Sequence, residues 1–299
     1  MRIFDFAKVA DWDDRLRDLA ELAEQERWTY EHVPDKSPLP ILDSYLRYTF
    51  LRSHEQGKIA ETDRLACFNT GLLTPGQEEI FGVFRLSDNF HLDQPQSSQN
   101  KKWFLTTWIR SGERQLTEFL EHPALASYWN NPADLIFDPK LQVQLNLDHI
   151  IRENLSRFPV ELGGKLAPDG VPSDLTTSPD IETEAGQAES DSTITSKQPI
   201  PIATRNALEG AMKNSIRLAQ RSYRIAVPQF HRGHIQLLLP LYLRDSAHPD
   251  LALTLEKHGV WYRAATVLYP DWAYRHARLL ARPNSEWLGG FRTDLTVDG

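Results

Sequence analysis

The sequence predicts an α+β protein with mainly antiparallel sheets flanked by helices and with a disordered acidic insertion. Three observations support this fold class: helical and strand-like apolar patterns occur in separate blocks, consecutive strands have short connections, and residues 164–197 lack aromatic side chains. Short connections make neighbouring strands antiparallel, because a parallel pair needs a long crossover. With 40% hydrophobic residues and 8 Trp among 299 residues, the chain has enough apolar side chains for a core.

The N-terminal half, residues 1–163, is predicted to combine helices with short strands. A helix begins at about Asp11, where aspartate is a good N-cap, and a second helix follows "KSPLP" and ends before Gly57. The segment "KIAETDRLACFNTGLLTPGQEEIFGVFRL" predicts three short strands with a turn at "TPGQ", and "KKWFLTTWIR" predicts another strand. Helical segments near 115–128 and 148–158 complete this half.

The C-terminal part, residues 198–299, is predicted to contain a helix, a four-stranded antiparallel meander and a closing helix. The first helix runs from Thr204 to about Ser222 and carries its apolar side chains on one side. The strands are "YRIAVPQF", "IQLLLPLYL", "LALTLEKHG" and "WYRAATVL". The closing helix starts at Asp271 as its N-cap and ends at Pro283. We expect this part to pack with the N-terminal half as one globular unit.

The tract 164–197 separates these two parts. It is rich in Pro, Ser, Thr, Asp and Glu and has few large apolar residues. Such a segment buries too little apolar surface to offset the entropy lost on ordering, so we predict that it is disordered. Its composition fits both a linker between two domains and an insertion within one.

Single-residue counts and short motifs exclude several classes of protein. One cysteine, Cys67, excludes an intrachain disulfide and a multi-cysteine zinc site, and its strand-like surroundings favour a buried, unreactive thiol. No apolar run approaches the roughly 20 residues that span a bilayer, and "MRIFDFAKVADWDD" has acids where a signal peptide is apolar. We therefore expect a cytoplasmic protein. No phosphate-loop motif or metal-ligand spacing is present, so we expect neither a cofactor nor a metal.

The last third of the chain carries two sets of cations at helical spacing. Residues 205–292 contain 13 Lys or Arg against 6 Asp or Glu, although the whole chain has a net charge of -8. Solvated helix surfaces explain such sets, but two cationic helices beside one small sheet favour a phosphate backbone. The sets are Lys213, Arg217 and Arg221 with Arg224 just beyond, and Arg275, Arg278 and Arg282.

Two glutamines are predicted to lie on neighbouring strands of the meander. If Gln229 and Gln236 face the same side, their amides and the rings of Tyr223 and Tyr242 could read or stack a nucleobase. Two glutamines that satisfy backbone groups at a sheet edge explain the pattern equally well.

Further polar residues extend the candidate site. Asn69 and Thr70 follow a strand and precede a glycine, where they form a turn or point into a site. Lys58 is either a solvated lysine or a phosphate ligand. His149 and Glu153 are one helical turn apart, which suits either an acid–base pair or a surface hydrogen bond, and Arg157 one turn further on could bind an anion.

Several segments resemble one known family. "YRIAVPQFHRGHIQLLLPLYL" and "DLALTLEKHGVWYRAATVLYPDWAYRHARLLARPNSEWL" resemble the C-terminal signature of the domain of unknown function 3825 family, and "PLPILDSYLRYTFLR", "KIAETDRLACFNTGL" and "NLDHIIRENLSRFP" resemble its earlier blocks. The resemblance covers nearly the whole chain except residues 164–197. Its members are joined to LOTUS-type and cold-shock modules, which implies an RNA context. This chain has Ser222 where the family pattern has Asn, and His231 where it has Tyr.

These observations favour an RNA- or nucleotide-binding protein, with RNA processing as an additional role, whose basic site lies in the C-terminal half. The alternative is an enzyme that acts on a small phosphorylated metabolite or nucleotide, with His149 and Glu153 as the catalytic residues. A third hypothesis is a scaffold that docks an acidic protein segment, such as its own residues 180–191. The residues expected to bind nucleic acid or phosphate are Lys58, Asn69, Thr70, Arg157, Lys213, Arg217, Arg221, Arg224, Gln229, Gln236, Tyr274, Arg275 and Arg278.

Overall fold

The computed structural model describes residues 1–32, 35–88, 102–167 and 199–289. Within these ranges the chain forms two packing units, the first from residues 1–30 and 35–127 and the second from residues 31–32, 128–167 and 199–289. Each unit contains a mostly antiparallel five-stranded sheet with helices, which confirms the predicted α+β class. Nearly all of the predicted insertion, 164–197, lies outside the described residues.

The first unit is a sheet with helices that follow the predicted order. Its helices are α1 (Ile3–Phe6), α2 (Trp12–Leu22) and α3 (Pro40–Glu55). Its strands are β1 (Ala7–Lys8), β2 (Ala60–Glu61), β3 (Leu65–Leu73), β4 (Glu79–Leu86) and β5 (Trp103–Arg110). The strand order is β1-β5-β4-β3-β2, and only the β1–β5 pair is parallel.

Aromatic side chains form the core of the first unit. Phe50 of α3 lies with its ring centroid 5.1 Å from Phe68 of β3 and 5.7 Å from Phe84 of β4, and Phe6 lies 5.2 Å from both Phe50 and Phe84. All four rings are buried. Edge-on and tilted contacts of this kind add about 0.5–1.5 kcal/mol per pair beyond the burial of apolar area. Cys67 of β3 is buried as predicted, and burial raises the pKa of its thiol to about 12.

One local prediction for the first unit is wrong, and a second is confirmed only in part. Only the 3-10 turn Arg114–Glu118 is helical in the predicted helix 115–128, because Pro123 removes a backbone donor and restricts the residue before it. Asp11 does occupy the N-cap position of α2, but it has φ 50° and its side chain makes no capping hydrogen bond.

The second unit contains the C-terminal sheet. Its helices are α4 (Leu147–Asn154), α5 (Ile202–Arg221), α6 (Pro270–Arg278) and α7 (Glu286–Gly289), with 3-10 turns at Pro132–Leu135, Leu155–Arg157 and Val160–Leu162. Its strands are β6 (Gln142–Gln144), β7 (Val227–His231), β8 (His234–Leu241), β9 (Leu251–His258) and β10 (Trp261–Leu268). The strand order is β6-β10-β9-β8-β7.

The predicted four-stranded meander is confirmed, and a fifth strand adds to it. Strands β7 to β10 pair antiparallel in sequence order, whereas β6 pairs parallel to the outer edge of β10. Helix α5 packs on β8, and Ser215 of α5 donates a hydrogen bond to the backbone oxygen of Pro240. This contact fixes which side of α5 faces the sheet.

Two element boundaries in the second unit differ from the prediction. Strand β7 starts at Val227 because the chain first turns after α5, where Ile225 N–H donates to Ser222 O at 3.1 Å. Helix α6 has Tyr269 as its N-cap and Pro270 at its first position. Asp271 therefore lies in the first turn, and its carboxylate accepts backbone N–H groups of residues 31 and 32 at 2.8–3.2 Å.

Within the part of the chain that the structure describes, no helix combines the length and the apolar composition needed to cross a bilayer.

Substitution of Gly82 on β4 tests the close packing of the first unit. A Cβ atom at this position would lie 2.3 Å from Phe68 and 2.8 Å from Trp108. We expect Gly82→Ala to lower the free energy of unfolding by about 1–3 kcal/mol, as overpacking does in cores. Urea denaturation followed by tryptophan fluorescence measures this change.

Gly210 of α5 provides the matched control, because a Cβ atom there meets nothing within 4 Å. Gly210→Ala should raise the free energy of unfolding by about 0.5–1 kcal/mol, since alanine favours a helix over glycine. Equal effects of the two substitutions would contradict the proposed packing.

Candidate functional site

The cationic side of α5 is exposed, as its spacing predicts. We call Lys213, Arg217, Arg221 and Arg224 the α5 basic face; all four are exposed. Lys213 Nζ lies 2.5 Å from Glu209 Oε1. Among the described residues, the guanidinium groups of Arg217 and Arg221 have no acidic partner.

Two further features distinguish the α5 basic face. The sequence contains no Asp or Glu between Glu209 and Asp245, so the cations of this stretch are not neutralised by neighbours along the chain. Tyr223 beside the face is 63% exposed, and the guanidinium of Arg224 lies 5.9 Å from its ring centroid. The end of α5 thus combines uncompensated positive charge with an accessible aromatic ring.

The arginines of α6 do not form the predicted surface ridge. Arg275 and Arg278 are only 3% and 7% exposed, whereas Arg282 is exposed. Tyr274 is buried as well, at 1%. Helical spacing predicts which residues share a direction, but not whether that direction faces solvent. Arg275 and Arg278 therefore do not present their guanidinium groups on an accessible surface, as the α5 basic face does.

Two histidines pack beside the buried arginine of α6. The rings of His231 and His276 stack with centroids 5.7 Å apart, and Arg275 Nη2 lies 3.3 Å from His276 Nε2. Burial lowers the pKa of His231 to about 4, and Arg232 and Arg275 contribute to the shift. Burial also lowers the pKa of His276, and electrostatic repulsion from Arg275 and His231 lowers this pKa further. Both rings are therefore neutral at pH 7.

The side chain of Arg157, just after the end of α4, contacts other residues of the second unit. Its Nη1 donates to the backbone oxygen of Val267 at 2.7 Å, and its guanidinium lies 5.3 Å from the ring of Trp272. These contacts fix Arg157 against β10 and α6.

The two predicted glutamines face the same side of the sheet, and they belong to a longer line of polar residues. Strand register places Gln229, Gln236, Glu256, Arg263 and Gln144 directly opposite one another on β7, β8, β9, β10 and β6. Because paired residues on adjacent strands share a face, these five side chains form one row, which we call the polar row.

Hydrogen bonds connect the polar row from its buried end outwards. Gln229 Nε2 donates to Gln236 Oε1 at 2.7 Å, and Gln236 Nε2 donates to Glu256 Oε1 at 2.9 Å. Arg263 Nε donates to Glu256 Oε2 at 3.1 Å, and its Nη2 contacts the same oxygen. Side-chain exposure rises from 1% at Gln229 to 54% at Arg263. Burial acts to raise the pKa of Glu256, but the Arg263, His258 and Gln236 contacts lower it overall.

A cleft opens at the exposed end of the polar row. It has a volume of about 370 Å³ and is lined by Gln144, Leu145, Asn146, His149, Arg263, Ala264 and Ala265. His149 Nδ1 lies 3.1 Å from Glu153 Oε1, so the predicted pair forms and its histidine faces the cleft. The side chain of Asn146 caps α4 by accepting the backbone N–H of His149 at 3.2 Å.

The candidate residues of the first unit make internal hydrogen bonds. Asn69 Oδ1 accepts the N–H of Gly71 at 2.8 Å, and this glycine has φ 74°, so the turn interpretation applies. Thr70 Oγ1 donates to Ile80 O at 2.7 Å. Lys58 Nζ donates to the backbone oxygen of Leu125 at 2.6 Å.

Arg263, Glu256 and Gln144 were not among the residues selected from the sequence. Alternation along "LALTLEKHG" and "WYRAATVL" could have placed Glu256 and Arg263 on the glutamine side once the strand register was fixed. No sequence pattern predicts the position of Gln144, because a strand of three residues, such as β6, is too short to show alternation.

Fold and site together define an α+β protein whose second unit presents a cationic helix face and a polar cleft. The chain belongs to the family described as domain of unknown function (DUF3825), whose profile matches residues 19–287. This match confirms the resemblance noted in the sequence. Neither the curated proteins nor the solved structures contain a match to the chain.

The buried histidines predict a loss of stability in mild acid. Because the pKa of folded His231 is about 4, below the usual value of 6.5, the unfolded chain binds more protons between these pH values. The free energy of unfolding should therefore fall as the pH drops below 6.5. His231 alone should account for a loss of up to about 2 kcal/mol at pH 5.

Urea denaturation of the wild type and of His231→Gln between pH 7 and pH 5 tests this prediction. The variant should have a shallower pH dependence than the wild type. His248→Gln is the control, because His248 is exposed on a loop of the same unit. An unchanged slope in His231→Gln would disprove the role of His231.

Proposed function

We propose that this protein binds RNA or a nucleotide through the second unit, with the α5 basic face as the phosphate-binding surface. The observation that carries this proposal is the exposure of Arg217 and Arg221 without an acidic partner among the described residues. Two guanidinium groups one helical turn apart attract an anion with repeated charges, and each supplies several N–H donors.

The aromatic neighbour favours single-stranded nucleic acid over an acidic protein segment. Tyr223 is 63% exposed next to Arg224. Stacking of a base on an exposed ring contributes about 1–3 kcal/mol to the binding free energy. Contacts between arginine and phosphate add an electrostatic contribution to the same free energy. An acidic peptide would use the arginines but would gain little from the ring. The net charge of -8 disfavours general binding of nucleic acid, so binding should be confined to this face.

A second candidate function is an enzyme that acts on a nucleotide or a small phosphorylated metabolite. The observation in its favour is the His149–Glu153 pair, whose nitrogen and oxygen are 3.1 Å apart at the edge of the cleft. A histidine held by a carboxylate is a suitable proton carrier at neutral pH. RNA processing as an additional role would use the same pair.

Salt-dependent binding of RNA tests the first proposal. We expect a fluorescently labelled single-stranded 12-mer RNA to bind the wild type, with log Kd varying linearly with log salt concentration. Arg217→Ala/Arg221→Ala should weaken binding and reduce the slope by about 0.7 for each lost phosphate contact. Fluorescence anisotropy at several salt concentrations measures both quantities.

Arg64→Ala/Arg110→Ala is the control for this experiment, since it removes the same charge from exposed positions of the first unit. This control should leave the slope unchanged. Equal slopes for the wild type and the α5 variant would refute the α5 basic face as the RNA site.

Turnover assays test the second candidate. If the protein is an enzyme, a screen of nucleotides and sugar phosphates should reveal a product, and His149→Gln should reduce kcat by at least about 100-fold, as loss of a general acid or base does. His122→Gln, at an exposed position of the first unit, is the control. Turnover that is independent of His149 would exclude this assignment.

A further inference from the structure

We propose that the cleft at the open end of the polar row binds a nucleobase. This inference rests on the proposed RNA or nucleotide binding and specifies which part of the ligand enters the cleft. The phosphates of the same strand would lie on the α5 basic face. The cleft and the face are both parts of the second unit.

The polar row holds one wall of the cleft in a defined orientation. Three successive links, Gln229 to Gln236, Gln236 to Glu256 and Glu256 to Arg263, run from the buried edge of the sheet to the cleft. A surface arginine normally samples many rotamers, and ordering it on binding costs free energy. The carboxylate of Glu256, itself held by a buried amide, contacts Nε and Nη2 of Arg263 in advance. The guanidinium plane is therefore already oriented before any ligand arrives.

Charge around the cleft argues against a phosphate as the group that enters it. Each cationic or titratable group near the cleft faces a carboxylate: Arg263 contacts Glu256, His149 contacts Glu153, and Arg205 contacts the neighbouring Asp148. An entering phosphate would meet these carboxylates as well as the cations. A neutral heterocycle gains from the same groups without that repulsion.

Hydrogen-bonding groups that remain available in the cleft suit the edge of a base. Among the described residues, the side-chain amide of Gln144 makes no hydrogen bond, although it lines the cleft. Nη1 of Arg263 is not used by Glu256, and the Nδ2 group of Asn146 is separate from the oxygen that caps α4. Amides and guanidinium supply donors and an acceptor in a small area, which matches the mixed donor and acceptor pattern of a base edge. A volume of about 370 Å³ accommodates a nucleobase.

Stacking groups lie one row further along the same face of the sheet. His258 and Trp261 are directly paired on β9 and β10; His258 lies two residues after Glu256, and Trp261 lies two residues before Arg263. Because side chains alternate along a strand, they share the face of the polar row. Their rings stack with centroids 5.0 Å apart, and the histidine side chain is 45% exposed. The aromatic pair thus adjoins Arg263 of the cleft wall, although neither ring is part of the cleft lining.

The distance to the α5 basic face determines the size of the ligand. Arg205, near the start of α5, contacts Asp148, which adjoins His149 of the cleft. Arg217 lies 12 residues further along α5, which corresponds to about 18 Å of helix. One nucleotide cannot reach both places, so a single strand of several nucleotides is needed to occupy the cleft and the α5 basic face together.

Binding of nucleosides, which carry no phosphate, tests this inference directly. We expect at least one of adenosine, guanosine, cytidine and uridine to bind the wild type in titrations followed by NMR, with an affinity that changes little with salt. Gln144→Ala and Arg263→Lys should each weaken that binding by about 3-fold to 10-fold. The lysine variant keeps the charge but removes the planar donor pair. Gln25→Ala, an exposed glutamine of the first unit, should have no effect.

The outcomes separate this inference from the proposed function. If RNA binds through the α5 basic face but no nucleoside binds, the base site is wrong and the proposed function stands. The base site is also wrong if neither cleft variant changes the affinity for nucleosides. Displacement of a bound nucleoside by inorganic phosphate would also overturn it, because the cleft would then be a phosphate site. If the α5 variant leaves RNA affinity and salt slope unchanged while the cleft variants abolish nucleoside binding, the proposed phosphate surface is wrong and the base site stands.

Discussion

The register of the second sheet is the constraint on which the candidate site depends. Five polar residues lie opposite one another across five strands, and a shift of any strand by one residue would turn its member to the other face. On β9, Leu251, Leu253 and Leu255 alternate with the face that carries Glu256, and all three are fully buried. Burial of these leucines therefore fixes the register, and the register in turn aligns the polar row. The site is a consequence of how the core packs.

Buried amides such as Gln229 and Gln236 are costly unless they are hydrogen-bonded, and here they bond to each other and to Glu256. Gln229 Oε1 has no hydrogen-bond partner among the described residues, so the row is not fully satisfied. Its three links nevertheless transmit orientation, because each hydrogen bond restricts the geometry of the next side chain. Replacement of buried polar pairs by apolar side chains of the same shape is often neutral for stability or stabilising. The polar row is thus better explained by the guanidinium that it positions than by stability.

Much of this architecture can be predicted from the sequence. The spacing of apolar residues predicts helices α3 and α5 and strands β3, β4, β8, β9 and β10, and the structure contains all of them. Burial of the α6 arginines could not be predicted, because helical spacing gives a direction but not what packs there. The cleft was also missed, since it depends on β6, a three-residue strand whose pairing is non-local. The His149–Glu153 contact was found because its partners are close in sequence.

The single buried thiol has a practical consequence. Burial raises the pKa of Cys67 to about 12, and the core of the first unit shields its thiol. We therefore expect maleimide reagents not to react with Cys67 in the folded protein. A cysteine introduced at an exposed position therefore becomes the one reactive sulfur of the native chain. Fluorophores or crosslinkers can be attached beside the second unit without first removing the natural cysteine, which makes distances to a bound strand measurable by energy transfer.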